Sequence, residues 1–311
     1  MNWIRNFCAS RLPAAGARRA AAIAVALCAA LAGCAAPDPG VSERELKDTP
    51  LAGFCQSVES MPEPLVHLAE PLAPAIGRVI ASVVLRDGYL DRPGAHAAAR
   101  ARLRPLDLVF VNSKGRLSGK LVPGLFSHVA LYLGTEAELK ALGVWDAPEL
   151  RPHHAALRAG HSFIEASTPD VHLSRIGTVL DTDGAAILRP PVASATRRRT
   201  ALRELAGRIG EEFDFFFDNA SQERLYCAEL ANAVLPEALL PSRRVYGRQT
   251  TLPDDVVALA VTGRGKLDFV AYLRGTRAGW TISDRATLIA DIKAYWQAAQ
   301  RRPAPVPPRN D

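Results

Sequence analysis

Aromatic residues supply only 6% of the 311-residue chain, so a core of this size has to be built mainly from Leu, Val and Ala. No apolar run reaches the roughly 20 residues that a permanent membrane-spanning helix needs, which excludes a polytopic membrane protein. Phosphate cradles are missing too. No G-x-G-x-x-G and no G-x-x-x-x-G-K-[ST] stands between a strand pattern and a helix pattern, so nucleotide binding lacks its usual support. Internal repeats are absent. The chain holds 48% hydrophobic and 23% charged residues, a balance that is neither disordered nor collagen-like.

The net charge of +6 loses its meaning once it is located. Arg5, Arg11, Arg18 and Arg19 lie within residues 1–33, where there is no acid, so the remainder carries about +2 and does not point to nucleic acid. Those arginines precede an apolar run of 13 residues, Ala20 to Ala32, the layout of a cleavable targeting segment. The run ends in Leu31-Ala32-Gly33-Cys34, which resembles the lipobox of bacterial lipoproteins. That resemblance implies a diacylglyceryl group on Cys34, a mature chain starting there and multiple acylation that anchors firmly. Ala35 in place of Asp implies onward transport to the outer membrane, with the folded body facing the periplasm.

Five domain segments follow. Residues 1–33 form the leader and 34–64 a proline-broken tether. Residues 65–103 form a helical region, 104–275 the main domain, and 276–311 a helix with a proline-rich tail. Within the second region apolar residues recur at Ile76, Val79, Ile80, Val83 and Val84, and 95–103 also has helical character. Then the period changes. Segments 106–112, 127–134, 162–167 and 185–190 read as strands, with a polar, Gly-rich loop between the first two. Amphipathic helix follows at 195–210, with Leu202, Leu205, Ala206 and Ile209 on one stripe. A short helix at 226–235, a last strand at 267–275 and a helix at 283–300 capped by Ser283 complete the order. It suggests an α+β domain with a mostly antiparallel sheet packed against helices.

Cysteine chemistry narrows to one residue. Cys8 and Cys28 leave with the leader, Cys34 takes the lipid, and Cys55 falls in the tether. In an oxidising periplasm Cys55 and Cys227 are able to form a disulfide; the position of Cys227 at a helix start favours instead a free, activated thiol. His128 opens an otherwise apolar strand, and Glu165 interrupts another, where an unpartnered carboxylate is costly. Nucleophile, base and orienting group are therefore all present. Glu229 is expected to point away from the thiol, toward an Arg, because a nearby carboxylate raises a thiol pKa.

LDLVFVN, FSHVALYLG, FIEAS and FDFFFDNASQERLYCAEL together resemble the permuted papain-like members of the NlpC/P60 superfamily, the YiiX-like group with its lecithin-retinol-acyltransferase relatives. The resemblance covers about residues 104–275 and runs His128, Glu165, Cys227 rather than cysteine first. It implies a circularly permuted papain-like fold, Cys227 as nucleophile, His128 as general base and acid, and Glu165 as the residue orienting the imidazole. Tyr226 and Asp107 are implied at the substrate cleft, although Leu106-Asp107 stands where relatives begin with Gly-Asp. The expected activity is a thiol hydrolase or acyltransferase on an amide, ester or thioester, foremost an amidase on cell-wall peptides, with an acyl-lipid substrate as the alternative. No cofactor and no metal are expected. His153, His154, His161 and His172 crowd one stretch, but their spacing fits no zincin helix or zinc finger, and 143–160 reads as a solvated excursion. A non-catalytic envelope-binding lipoprotein that keeps the cleft is the rival from another class.

Overall fold

A computed structural model of the chain describes residues 70–220 and 223–301. The leader, Cys34, the tether with Cys55 and the proline-rich tail from residue 303 lie outside the described residues. Among the described residues ten α-helices and nine strands follow one another. Helices α1 (Ala73–Ser82) and α2 (Pro93–Arg100) precede β1 (Leu108–Asn112), α3 (Leu117–Leu121) and β2 (His128–Tyr132). Next come α4 (Glu136–Ala141), α5 (His154–Arg158), β3 (Phe163–Ala166), β4 (Val171–Ser174), α6 (Ile176–Val179) and β5 (Gly184–Arg189). Then α7 (Ala195–Gly207), α8 (Cys227–Val234), β6 (Arg243–Val245), β7 (Arg248–Thr250) and α9 (Pro253–Thr262) lead to β8 (Asp268–Thr276), β9 (Gly279–Ser283) and α10 (Arg285–Gln300).

Seven strands make one sheet in the order β4-β3-β2-β1-β5-β8-β9, with every neighbouring pair antiparallel. Side chains alternate between its faces. Leu108, Phe110, Val129, Leu131, Ile164, Ala186 and Leu188 join the larger core under α7 to α10, whereas Val109, Val111, Ala130, Tyr132, Phe163, Ala185 and Ile187 meet α2 and α6 on the other face. Burial on both faces explains why these strands read as unbroken apolar runs instead of alternating ones.

The expected elements form where the sequence places them, with shifts of a few residues. Val83 and Val84 leave the helix; Val84 makes an isolated bridge to Arg116 instead. The cap of α10 is Asp284, whose side chain accepts from Thr287 N–H, so Ser283 ends β9 rather than starting the helix. β8 is not the last strand, because β9 pairs with it along five residues of Gly279–Ser283. Residues 143–160 are not a solvated excursion either: Val144, Trp145, Leu150 and Leu157 are buried in the larger core, and His154 stacks on Trp145 with ring centroids 3.8 Å apart.

Helix α9 has no legible period in the sequence because it is enclosed on every side, Pro253 through Val261 all being buried. Two of its carboxylates are structural. Asp255 pairs with the fully buried Arg243 at 2.8 Å. Asp254 accepts from the backbone N–H of Phe126 at 2.9 Å and from the Trp296 indole at 2.7 Å, tying α10 and the approach to β2 to one carboxylate. Gly124 lies so close that a Cβ there would sit 2.4 Å from Asp254 Cβ, and its φ of +93° favours glycine independently. Asp254→Ala is expected to lower unfolding stability by about 3 kcal/mol in urea denaturation, since two buried donors lose their acceptor. A loss under about 1 kcal/mol would mean that these bonds contribute little.

Candidate active site

Three elements converge at one corner of the sheet. α8 packs across β2 and β3, and its first residue is Cys227, a free thiol only 5% exposed. Tyr226 at the N-cap is extended, with φ −98° and ψ 171°, and makes no side-chain cap bond. The first-turn N–H groups of such a helix have no intrahelical acceptor and carry the positive end of its dipole. Cys227 therefore stands at the head of α8, beside those N–H groups.

His128 is the first residue of β2, held there by the anchored loop before it, in which Ser127 N–H donates to Val111 O at 3.0 Å and Phe126 donates to Asp254. Its Nε2 lies 2.6 Å from Glu165 Oε2, and the Cys227 sulfur acts on the same imidazole. The histidine thus stands between thiol and carboxylate. Its side chain keeps 23% of its surface exposed, so solvent and substrate reach it, whereas Glu165 is nearly enclosed.

Behind Glu165 lies β4, which the sequence reading missed because its four residues are too few to show a period. Glu165 pairs in register with His172, whose Nε2 is 3.9 Å from Glu165 Oε1, and the buried Ser174 acts on the same carboxylate. Both follow from strand alternation, since Glu165, His172 and Ser174 project from one face of the β3–β4 pair. The electrostatics agree with the geometry. Burial disfavours a charged imidazole, but the Cys227 sulfur and Glu165 outweigh it and push His128 up to about 10. Burial likewise works against an ionised Glu165, yet His128, Ser174 and His172 draw it down to about 2.

The other expected site residues are placed differently. Asp107 is buried just before β1 and gripped by Arg189 at 2.7 and 2.8 Å. It lies at the far end of β1 from His128, which is opposite Val111. Tyr226 is 1% exposed. Its hydroxyl donates to Asn219 Oδ1 and accepts from Thr251 N–H at 2.7 Å, clamping two loops to the start of α8. Glu229 does not pair with an Arg. It turns into the protein at 6% exposure and leaves Oε2 without a partner. Burial and the neighbouring Asp214 push it up to about 8, so near neutral pH it is largely uncharged. Among the described residues no group of three or more His, Cys, Asp and Glu side chains is arranged to hold a metal ion.

Residues 102–270, more than half of the chain, match the family model of the permuted papain-like amidase enzymes, YaeF/YiiX, C92 family. The chain belongs to that family. Its fold is accordingly the permuted papain-like α+β fold, and the family is one of cysteine amidases. No curated protein and no solved structure matches the chain. The matched span includes the helix of Cys227 and the strands of His128 and Glu165, and it leaves α1, α2, β9 and all of α10 outside.

The pair of shifted groups fixes how stability should vary with pH. Glu165, lowered from 4.5 to about 2, stabilises the folded state fully above about pH 4.5 and loses that effect as pH falls through about 2. His128, raised from 6.5 to about 10, does so fully below about pH 6.5 and loses it as pH rises through about 10. The stability difference between wild type and Glu165→Gln is therefore expected to peak between about pH 4.5 and 6.5 and to shrink on both sides. Urea denaturation across that range measures it, and a flat difference would contradict the ion pair.

Proposed function

We propose that this protein is an envelope-anchored thiol amidase that cleaves an amide bond of a cell-wall peptide through Cys227, His128 and Glu165, without a cofactor. The observation that carries the reading is the placement of His128 between the Glu165 carboxylate at 2.6 Å and the thiol at the head of α8. Proton transfer needs such contact, and a buried carboxylate on the far ring nitrogen fixes the imidazole's orientation.

In the reaction, His128 holds the thiol proton and the Cys227 sulfur attacks the carbonyl carbon. The carbonyl electron pair moves onto oxygen, and N–H groups at the start of α8 donate to that oxyanion. Collapse of the tetrahedral intermediate expels the amine, which takes its proton from His128, and leaves a thioester on Cys227. His128 then removes a proton from water, the water oxygen attacks the thioester, and the carboxylic acid and the thiol are released. Glu165 keeps the positive imidazole in place throughout. His172 and Ser174 hold Glu165 and take no part in the bond changes.

Localisation follows from the lipobox-like Leu31-Ala32-Gly33-Cys34. Lipid on Cys34 would tether the domain to the outer membrane with its cleft in the periplasm, where peptidoglycan peptides are the abundant amides. The decisive assay incubates the full chain with muropeptides and, separately, with phospholipids, and reads product masses. Muropeptide cleavage is expected, lost in Cys227→Ala and reduced by about 10²–10⁴-fold in His128→Ala. Phospholipid cleavage alone would replace the amidase reading with an acyl-lipid hydrolase, and no Cys227-dependent mass change with either would favour a binding lipoprotein.

A further inference from the structure

Among the described residues eight large apolar side chains are exposed, and six of them, Leu72, Val79, Val84, Leu85, Leu121 and Phe217, belong to one connected part of the surface. α1 packs against α3, which carries Leu121. The segment after α1 joins the α3 loop through the Val84–Arg116 bridge and through Leu85 N–H donating to Gly115 O at 2.9 Å. Gly77 of α1 presses on the Phe215 ring, and Phe213 stacks edge-on with both Phe215 and Phe217. No residue of α1 is buried. Ile76, Gly77 and Ile80 are partly covered by the protein, while Leu72, Ala75 and Val79 form a second apolar stripe in water, with Val79 65% exposed. A helix apolar on both faces is expected to be enclosed, and clustered exposure of this kind marks an interaction surface.

We propose that this face rests on the lipid bilayer to which Cys34 anchors the chain, with Leu72, Val79, Leu85 and Leu121 in the headgroup boundary. The proposal builds on the lipoprotein reading above. Lipid is favoured as the occupant by two features. α1 is the first described helix after Cys34, so the anchor delivers this element to the membrane before any other. Exposed Arg78 and Lys120 stand on the same two helices, and basic side chains beside aliphatic ones suit anionic headgroups. The Phe217 ring is 5.3 Å from that of Tyr226, the N-cap of α8, so the patch borders the buried start of the helix that carries Cys227.

The test uses the full, lipidated chain in vesicles of phosphatidylethanolamine and phosphatidylglycerol. An environment-sensitive fluorophore is placed at Val79→Cys or, as a control off the patch, at Leu239→Cys, with Cys55→Ser and Cys227→Ser removing the other thiols. Flotation of the vesicles reports the anchor and the fluorophore reports docking. The Val79 label is expected to shift to the blue and to lose emission to spin-labelled acyl chains, with the Leu239 label unaffected. A floating chain whose two labels respond alike, or whose Val79 label is shielded from lipid and water quenchers together, as a second copy would shield it, overturns docking. A chain that does not float overturns anchor and docking alike. Cys227 is Ser throughout, so none of these outcomes depends on the amidase reading.

Discussion

A carboxylate enclosed in the middle of an apolar strand is the constraint on which the site depends. Glu165 cannot stay ionised there unless something offsets its desolvation, and His128 Nε2 at 2.6 Å does so together with Ser174 and His172. The same contact determines what remains free on the imidazole. With Nε2 committed to Glu165, only the other ring nitrogen is left for a further partner. Removing one partner would leave the other charge buried and uncompensated, a defect of about 3–5 kcal/mol in comparable pairs.

Everything around this contact restrains the two backbones that carry it. β2 is fixed at its start by Asp254 on α9, which also holds Trp296 of α10. α8 is fixed at its start by Tyr226, whose hydroxyl ties it to Asn219 and Thr251. Neither tie touches the His128 or Cys227 side chain, yet together they set the relation of the two, because each acts within two residues of one of them. α10, although outside the family match, is integral to the same fold: it buries Leu288, Ile292 and Trp296 in the core that holds Cys227.

Much of this was legible in the sequence because the residues concerned break a pattern. A histidine and a glutamate inside apolar strands, and a cysteine at a helix start, stand out against their neighbours, and the resemblance joined them. What remained hidden has physical causes. β4 is too short to show alternation, so His172 and Ser174 were not recognised as the support of Glu165. α9 is apolar on every accessible side and shows no amphipathic period. Asp107 and Tyr226 are polar residues near the expected cleft, but their groups are used internally, by Arg189 and by Asn219 and Thr251. Sequence proximity to the nucleophile does not reveal which way a side chain turns, as Glu229 also demonstrates.

The central claim is that His128 activates Cys227, and the most direct measurement is the rate at which iodoacetamide alkylates that thiol in the folded protein at about pH 6, where an ordinary cysteine is almost wholly protonated. Wild-type protein should react at Cys227 selectively, and His128→Ala should react about tenfold more slowly or less, with its folded state intact by circular dichroism. Equal rates in the two proteins, or a Cys227 that reacts only after denaturation, would contradict the account.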